Sequence, residues 1–342
     1  MDHDDETDAR TIGWGVLATG KIARKLSTDL ALVPGAELVA VGSRTLASAE
    51  AFAATYGGAA TRAHGSYEEL LADPAVEVVY VASPHALHLE HARAAFEAGK
   101  HVLCEKPLAT SVADAEEMVA LARRHDRFLM EAMWTACHPV VRALAEGLRS
   151  GRYGAPRQLH AELGFVVDAD PDDRLLDPAL GAGALLDMGI YPLTFAHLVL
   201  GEAESLAATA VLSESGIDLD IAVAGHYPGG ALATMTASMT SQSSRAATIA
   251  TNRGRIDLAD FHHPTRATWT PYADGGDDTL AAAGEIEGVE PVIGVGYGNE
   301  VAEVGRCLRA GLRESPLVPH AQTLTLMRQM EAVLASVGVT YG

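Results

Sequence analysis

The chain has 342 residues, 48% hydrophobic and only 5% aromatic, with a formal net charge of −20. That length exceeds one ordinary core and fits two folded units, and the composition is that of a globular chain, not a disordered one. So acidic a chain lacks the clustered Lys and Arg that nucleic-acid recognition needs. The three cysteines, Cys104, Cys137 and Cys307, are scattered and form no C-x-x-C pair, which argues against a disulfide framework or a zinc knuckle. The N-terminus, MDHDDETDAR, is acidic where a signal peptide is basic and then apolar. No apolar run is read as the ~20 residues of a membrane span. The expectation is a cytoplasmic protein with a flexible acidic tail over residues 1–10, and with neither nucleic acid nor membrane as partner.

From residue 11 strand and helix signals alternate. Thr11–Leu17 reads as a strand and Lys21–Leu32 as a helix. Glu37–Val41 is a second strand, followed by a helix over Leu46–Tyr56 and a short one over Tyr67–Leu71. Val76–Val81 is a strand, and Ala86–Ala98 a helix that Gly99 closes. His101–Cys104, Val112–His125 and Phe128–Met130 continue as strand, helix and strand. Such alternation predicts βαβ units and a parallel sheet. After about residue 150 the pattern changes. Gln158–Val167 alternates as a half-buried strand, and four further strand-like segments follow with little helix between them. These predict an antiparallel sheet, with YPGG at 227–230 as a hairpin turn and Tyr272–Gly288 as a surface loop. Helices over Asn299–Gly311 and Ala321–Ser336 end the chain.

The first strand runs into a turn made by Ala18, Thr19, Gly20, Lys21 and Ile22, with Ala23 beyond it. A dinucleotide fingerprint has G-x-G-x-x-G/A in this place. Gly20 lets the backbone approach a pyrophosphate at a helix N-terminus, while Ala18 departs from the first glycine. At the end of the second strand an NAD enzyme carries an acid for the ribose 2′-OH. This chain has Ser43 and Arg44, and an arginine there can pair with a 2′-phosphate, so NADP(H) is expected over NAD(H). Ser83 reads as an N-cap ahead of His85, His88 and His91. Three-residue spacing makes those rings fan out around a helix, so no metal is expected, and Ser83, His85 and His88 are read as touching cofactor ribose or phosphate.

Ligands of an open parallel sheet sit at the carboxyl ends of its strands. His101–Cys104 delivers Glu105 and Lys106 to that edge, with Pro107 as a rigid corner, which makes both candidates for the cofactor cleft. Asp187 and Tyr191 lie four apart in an apolar helical stretch that Pro192 should kink. A buried aspartate needs a partner, so these two are read as the opposing wall of the cleft.

ATGKIA, SPHALHLEHARAAFEAGKHVLCEKPLA, FLMEAMWT, GAGALLDMGIYPLTF and YGNEVAEVGRCLRAGLRESPLVP together resemble the Gfo/Idh/MocA oxidoreductases, nearest the dihydrodiol and NADP-dependent xylose dehydrogenase branch. The resemblance implies a Rossmann unit over 11–133 and an α/β substrate-binding unit over 134–342 with a large, mostly antiparallel sheet. The open face of that sheet would form a homodimer or homotetramer. It implies Lys106 as the lysine beside the nicotinamide, Asp187 as the family's aspartate, and Trp134 and Phe165 as pocket lining. Tyr191 stands where many members carry histidine. The expected reaction is hydride transfer at a carbinol carbon of a sugar or cyclic polyol. Aldose 1-oxidation comes first, dihydrodiol oxidation or ketosugar reduction second, and a catalytically silent NADP sensor is the rival of another class. Tyr191 would move the proton, its pKa lowered by the Lys106 ammonium, with proton transfer by Lys106 itself as the alternative.

Overall fold

The protein is described as a computed structural model covering residues 10–168, 174–273 and 280–341. The acidic tail expected over residues 1–10 lies outside the described residues except for Arg10. The first sheet comprises β1 (Ile12–Leu17), β2 (Ala36–Gly42), β3 (Arg62–His64), β4 (Val78–Val81), β5 (His101–Cys104) and β6 (Leu129–Glu131). Its order is β3-β2-β1-β4-β5-β6, and all pairs are parallel. β1 and β4 are buried at every residue, as helices on both faces of a parallel sheet require. The strand order reverses between β1 and β4, which puts a ligand-binding crevice at their carboxyl ends.

The second sheet comprises β7 (Pro156–Gly164), β8 (Ser205–Leu212), β9 (Asp218–Tyr227), β10 (Ala231–Ser238), β11 (Ala247–Thr251), β12 (Gly254–Leu258), β13 (Ala267–Pro271) and β14 (Gly284–Ile286). They lie in the order β14-β13-β12-β11-β7-β10-β9-β8. β7 and β10 pair in parallel, and the other neighbours are antiparallel. The expected turn at 227–230 joins β9 to β10, with Gly229 and Gly230 at φ 74° and 75°, where a side chain would be strained. Ala231, Ala233, Met235 and Ala237 of β10 face the core and alternate with exposed Leu232, Thr234 and Thr236.

Three differences from the sequence reading have physical causes. Strands β12, β13 and β14 were not anticipated, and β14 falls inside the segment expected to be a loop, part of which lies outside the described residues. These strands are only three to five residues long, too short for alternation to register. Pro178–Leu200 is long and apolar enough for a membrane span by composition alone, but 72% of its apolar 18-residue window is buried inside the protein. The C-terminal arm does not stay with the second sheet alone: helix His320–Ser336 packs on β8, and the arm also reaches the first unit. Helix Tyr297–Arg309 packs on helix Lys21–Leu30, and helix His320–Ser336 on helix Val112–Arg124. The Leu129 N–H donates to the Arg313 carbonyl at 3.1 Å, and His320 Nε2 meets the Leu129 carbonyl at 2.9 Å. Edge strand β6 carries unpaired backbone groups, and the returning arm satisfies them.

Candidate active site

At the end of β1 the chain turns through Ala18, whose φ of 77° lies in the left-handed region. Holding a Cβ there costs about 1–2 kcal/mol, so the turn is enforced by its surroundings. Gly20 caps helix Lys21–Leu30 with no side-chain hydrogen bond and no acid in the first turn. A Cβ on Gly20 would meet nothing within 4 Å, so the space before these first-turn amides is open. The turn therefore fits a dinucleotide pyrophosphate held by backbone N–H groups. Thr19 Oγ1 lies 3.3 Å from Ser43 Oγ, which ties this turn to the end of β2. Arg44 and Lys21 are exposed on the same rim, whereas Ile22 packs against the core and offers the rim only backbone.

The three histidines of 85–91 hydrogen-bond to different atoms. His88 is fully buried, with Nδ1 on the Pro107 carbonyl and Nε2 on the Ser83 carbonyl, both at 3.0 Å. Both ring nitrogens are spent on backbone, so the expectation that His88 touches cofactor is corrected: it braces the Pro107 corner. Ser83 does not cap a helix; its hydroxyl is 2.8 Å from His91 Nδ1, and the N-cap position falls to Pro84. His85 reaches the chemical end instead of a ribose, with Nδ1 3.1 Å from the Gly181 carbonyl and Nε2 3.7 Å from Asp187 Oδ1. Burial pushes its pKa down to about 4, so it stands there neutral.

β5 delivers Glu105 and Lys106 to the crevice, and the Lys106–Pro107 peptide is cis. Glu105 is buried, accepts from the Tyr80 hydroxyl, and takes the Lys106 N–H at 3.2 Å. Lys106 Nζ donates to the Asp187 carbonyl at 2.6 Å and lies 4.9 Å from the centre of the Tyr191 ring. Lys106, Asp187 and Tyr191, separated by more than 80 residues of chain at their first step, thus share one cluster. Asp187 Oδ1 is 3.8 Å from Arg174 Nη1, and its buried Oδ2 has no hydrogen-bond partner among the described residues.

Electrostatics here differ from the sequence expectation. Burial pushes the Lys106 ammonium below its ordinary pKa, against the opposing charges of Asp187 and Glu105. Burial also pushes Tyr191 well above the ordinary phenol value, with Tyr297 and Glu105 adding to it. The group that opposes this rise is Trp134, whose indole N–H donates to the Tyr191 oxygen at 3.2 Å. The lowered tyrosine expected from Lys106 is therefore not found; desolvation outweighs the cation–ring contact.

Trp134 also departs from its expected role. It is 5% exposed and stacked on Tyr297, with ring centres 4.1 Å apart and planes 2° apart, so it positions the phenol and offers little face to a ligand. Phe165 lies just past β7 at 38% exposure, its N–H donating to the Ser238 carbonyl, and is not packed into the Lys106 cluster. Sequence reasoning missed His262 and His263, whose rings flank Trp134, and Asp260 behind them. His262 Nδ1 is 2.6 Å from Asp260 Oδ1, and Arg245 stands 3.9 Å from the other Asp260 oxygen, supplying the positive charge a cation would bring. It also missed Glu131, which accepts from the Leu108 N–H and the Thr323 hydroxyl at 2.9 Å. A strand-end acid was its available signal, the same one that singled out Glu105. ADFHHPT had no periodicity to betray it.

A β3-β2-β1-β4-β5-β6 parallel sheet with an open glycine turn, joined to a lysine–tyrosine–aspartate cluster, defines a nicotinamide-dependent oxidoreductase acting on CH–OH groups of a small molecule. Residues 12–133 match the family model described as "Oxidoreductase family, NAD-binding Rossmann fold", and residues 141–257 match the GFO/IDH/MocA C-terminal domain. The chain belongs to the Gfo/Idh/MocA oxidoreductases. It is 36% identical to trans-1,2-dihydrobenzene-1,2-diol dehydrogenase of Mus musculus, covering 96% of this chain and 97% of that protein. The Homo sapiens protein of the same name is 35% identical over the same shares. Among solved structures, a 3-ketoreductase from Actinomadura kijaniata in complex with TDP-benzene and NADP superposes with a TM-score of 0.84 at 25% identity, covering 96% of this chain and 98% of that one. The aldose-aldose oxidoreductase from Caulobacter crescentus shares the fold at a TM-score of 0.84 and 24% identity, covering 96% of this chain and 97% of that one.

Proposed function

We propose that the chain is an NADP(H)-dependent dehydrogenase of an aldose, oxidising the carbinol carbon at C1. The observation that carries this reading is the buried Asp187 Oδ2, which has no hydrogen-bond partner among the described residues and lies beside Lys106 and Tyr191. Such an oxygen is made whole by a ligand hydroxyl. The imidazoles of His262 and His263 add further polar edges to the same wall. Bound nicotinamide supplies hydride transfer at its ring. The protein's share is one proton. Burial favours the neutral amine of Lys106 and the neutral phenol of Tyr191, so Lys106 is the base in oxidation and Tyr191 holds the substrate oxygen. Arg44, exposed at the end of β2 where no acid stands, supports NADP(H).

A second reading, trans-dihydrodiol oxidation, is supported by the names of the 35–37% identical relatives. One panel of aldoses and trans-diols, run with NADP⁺ and with NAD⁺ and read at the reduced-nicotinamide absorbance, separates the two. An aldose with NADP⁺ should give the highest kcat/KM. A trans-diol above every aldose would replace the first reading with the second, and a preference for NAD⁺ would remove the role given to Arg44. The assembly is a homodimer or homotetramer through the outer face of the second sheet. Exposed Ala222 and Ala224 of β9 lie there opposite Thr236 and Thr234 of β10, a patch of small residues beside His160 and Glu162 of β7. Light scattering that gives a monomer at micromolar concentration would contradict this.

A further inference from the structure

The loop between β12 and β13 carries Asp260, Phe261, His262 and His263 to the wall that also holds Tyr191. Phe261 is fully buried against Phe195, and the Thr135 hydroxyl donates to the His262 carbonyl at 2.6 Å, so the loop is pinned at both residues. The His262 ring lies edge to face with Tyr191, centres 5.3 Å apart, and with Trp134 at 5.7 Å. Only 12% of its side chain is exposed.

The two ring nitrogens of His262 have different surroundings. Nδ1 is buried 2.6 Å from Asp260 Oδ1, and neither atom has another partner among the described residues. The pair misses the alignment of a full hydrogen bond, yet its distance decides the tautomer. A carboxylate oxygen only accepts, and a bare Nδ1 would set two lone pairs against each other at that separation. The proton therefore sits on Nδ1. Burial would raise the Asp260 carboxyl, but His262, His263 and Arg245 outweigh it and keep the carboxylate ionised. Burial pushes His262 itself below its ordinary pKa, so the ring is neutral near pH 7. Nε2 then carries the lone pair. It has no hydrogen-bond partner among the described residues and, unlike Nδ1, is not shut off from solvent.

Tyr191 offers the complement. Its oxygen accepts from the Trp134 indole at 3.2 Å, and its own O–H has no acceptor among the described residues. Two rings in contact thus present one unspent donor and one unspent acceptor. A hydroxyl oxygen on the reacting carbon uses the donor. The acceptor needs a second hydroxyl hydrogen close by, which a hydroxyl on the next carbon brings.

Resting on the role given above to Tyr191, we infer that His262 is a specificity-determining residue: its Nε2, kept bare by Asp260, accepts from the substrate hydroxyl adjacent to the reacting carbinol. The substrate is then narrowed to one carrying a vicinal pair of hydroxyls, which C1 and C2 of an aldose and a trans-diol both supply. Nitrogen-15 histidine labelling reads the tautomer without substrate. The His262 signals are identified by their loss in His262→Phe, or in His262→Leu should the larger ring not fold. At pH 7.5 Nδ1 should hold the proton and Nε2 should be bare; a proton on Nε2 overturns the inference. Turnover is then compared between the best substrate of the panel and its analogue lacking the neighbouring hydroxyl. Wild type should favour the full substrate by about thirtyfold in kcat/KM, because the analogue leaves Nε2 unpaired. In the same His262 variant the preference should fall to about threefold or less. A merely structural role would lower both rates and keep the ratio, and an unchanged ratio overturns the inference. A panel without turnover would remove the proposed function and leave the tautomer to decide here.

Discussion

The two ends of the crevice are built on opposite principles. At the cofactor end, Gly20, Thr19, Ser43 and Arg44 lie within one βαβ stretch, and the binding groups are backbone amides and the exposed Arg44 side chain on an open rim. At the chemical end, Lys106 follows β5, Asp187 and Tyr191 share one helical stretch and Trp134 opens another helix, and they are held by contacts across 57 and 81 residues of chain. The first end works in water and depends on local geometry. The second works out of water, where burial sets the protonation state of each group. Binding and chemistry should therefore be separable by mutation.

Lys106→Met tests the separation hardest. Turnover should drop by about 10³-fold, with nucleotide affinity by fluorescence titration changed far less. A comparable loss in nucleotide affinity would mean that the two ends are not independent. Arg44→Ser is the converse: the Kd for NADP⁺ should rise about thirtyfold while that for NAD⁺ stays put, and kcat at saturation should hold. Equal weakening of both nucleotides would show that Arg44 reads something other than a 2′-phosphate.

Glu131 probes burial directly. Burial raises its carboxyl from the ordinary 4.5 to about 6. The folded state then holds the proton over a pH range in which the unfolded chain has released it. Stability from this group is full below the unfolded value and is lost as pH rises through the folded value, by about 2 kcal/mol in all. Denaturant midpoints of wild type and Glu131→Gln at pH 4.5 and pH 7.5 check this: the variant should lose less stability across the interval. Parallel falls in both would remove Glu131 as the source. The smallest effect belongs to Trp134→Phe, which deletes the N–H on the Tyr191 oxygen. The Tyr191 hydroxyl is then held less firmly for the substrate oxygen, and kcat near neutrality should fall about five- to tenfold. An unchanged kcat would reduce the indole to packing.

The cofactor end was legible because its signals are short-range. A strand, a small-residue turn and a helix start can be read within a dozen residues, and the structure adds only that Ala18 takes the positive φ of the missing glycine. Lys106 was legible for the same reason, as the residue where an apolar strand ends at a sheet edge. Asp187 was legible as a charge inside an apolar run. His88 misled because a histidine near a sheet edge says nothing of which carbonyls surround it. Trp134 misled because aromaticity does not tell whether a ring's face is free, and one Trp134 face is taken by Tyr297, 163 positions further along the sequence numbering.

By itself the sequence determined the parallel sheet, the open turn at Gly20, the arginine at the end of β2 and the lysine at the end of β5. Each depends on near neighbours in the chain, whose backbone preferences act locally. Tertiary structure decided which groups carry charge and what they touch. The Lys106 nitrogen is held by the carbonyl, not the carboxylate, of Asp187, and the Tyr191 oxygen by Trp134. Desolvation comes from residues distant in the chain, and no local pattern records it; that is why Tyr191, expected to be brought towards ionisation by the Lys106 ammonium, is instead driven away from it by burial, while burial brings the lysine closer to its neutral form.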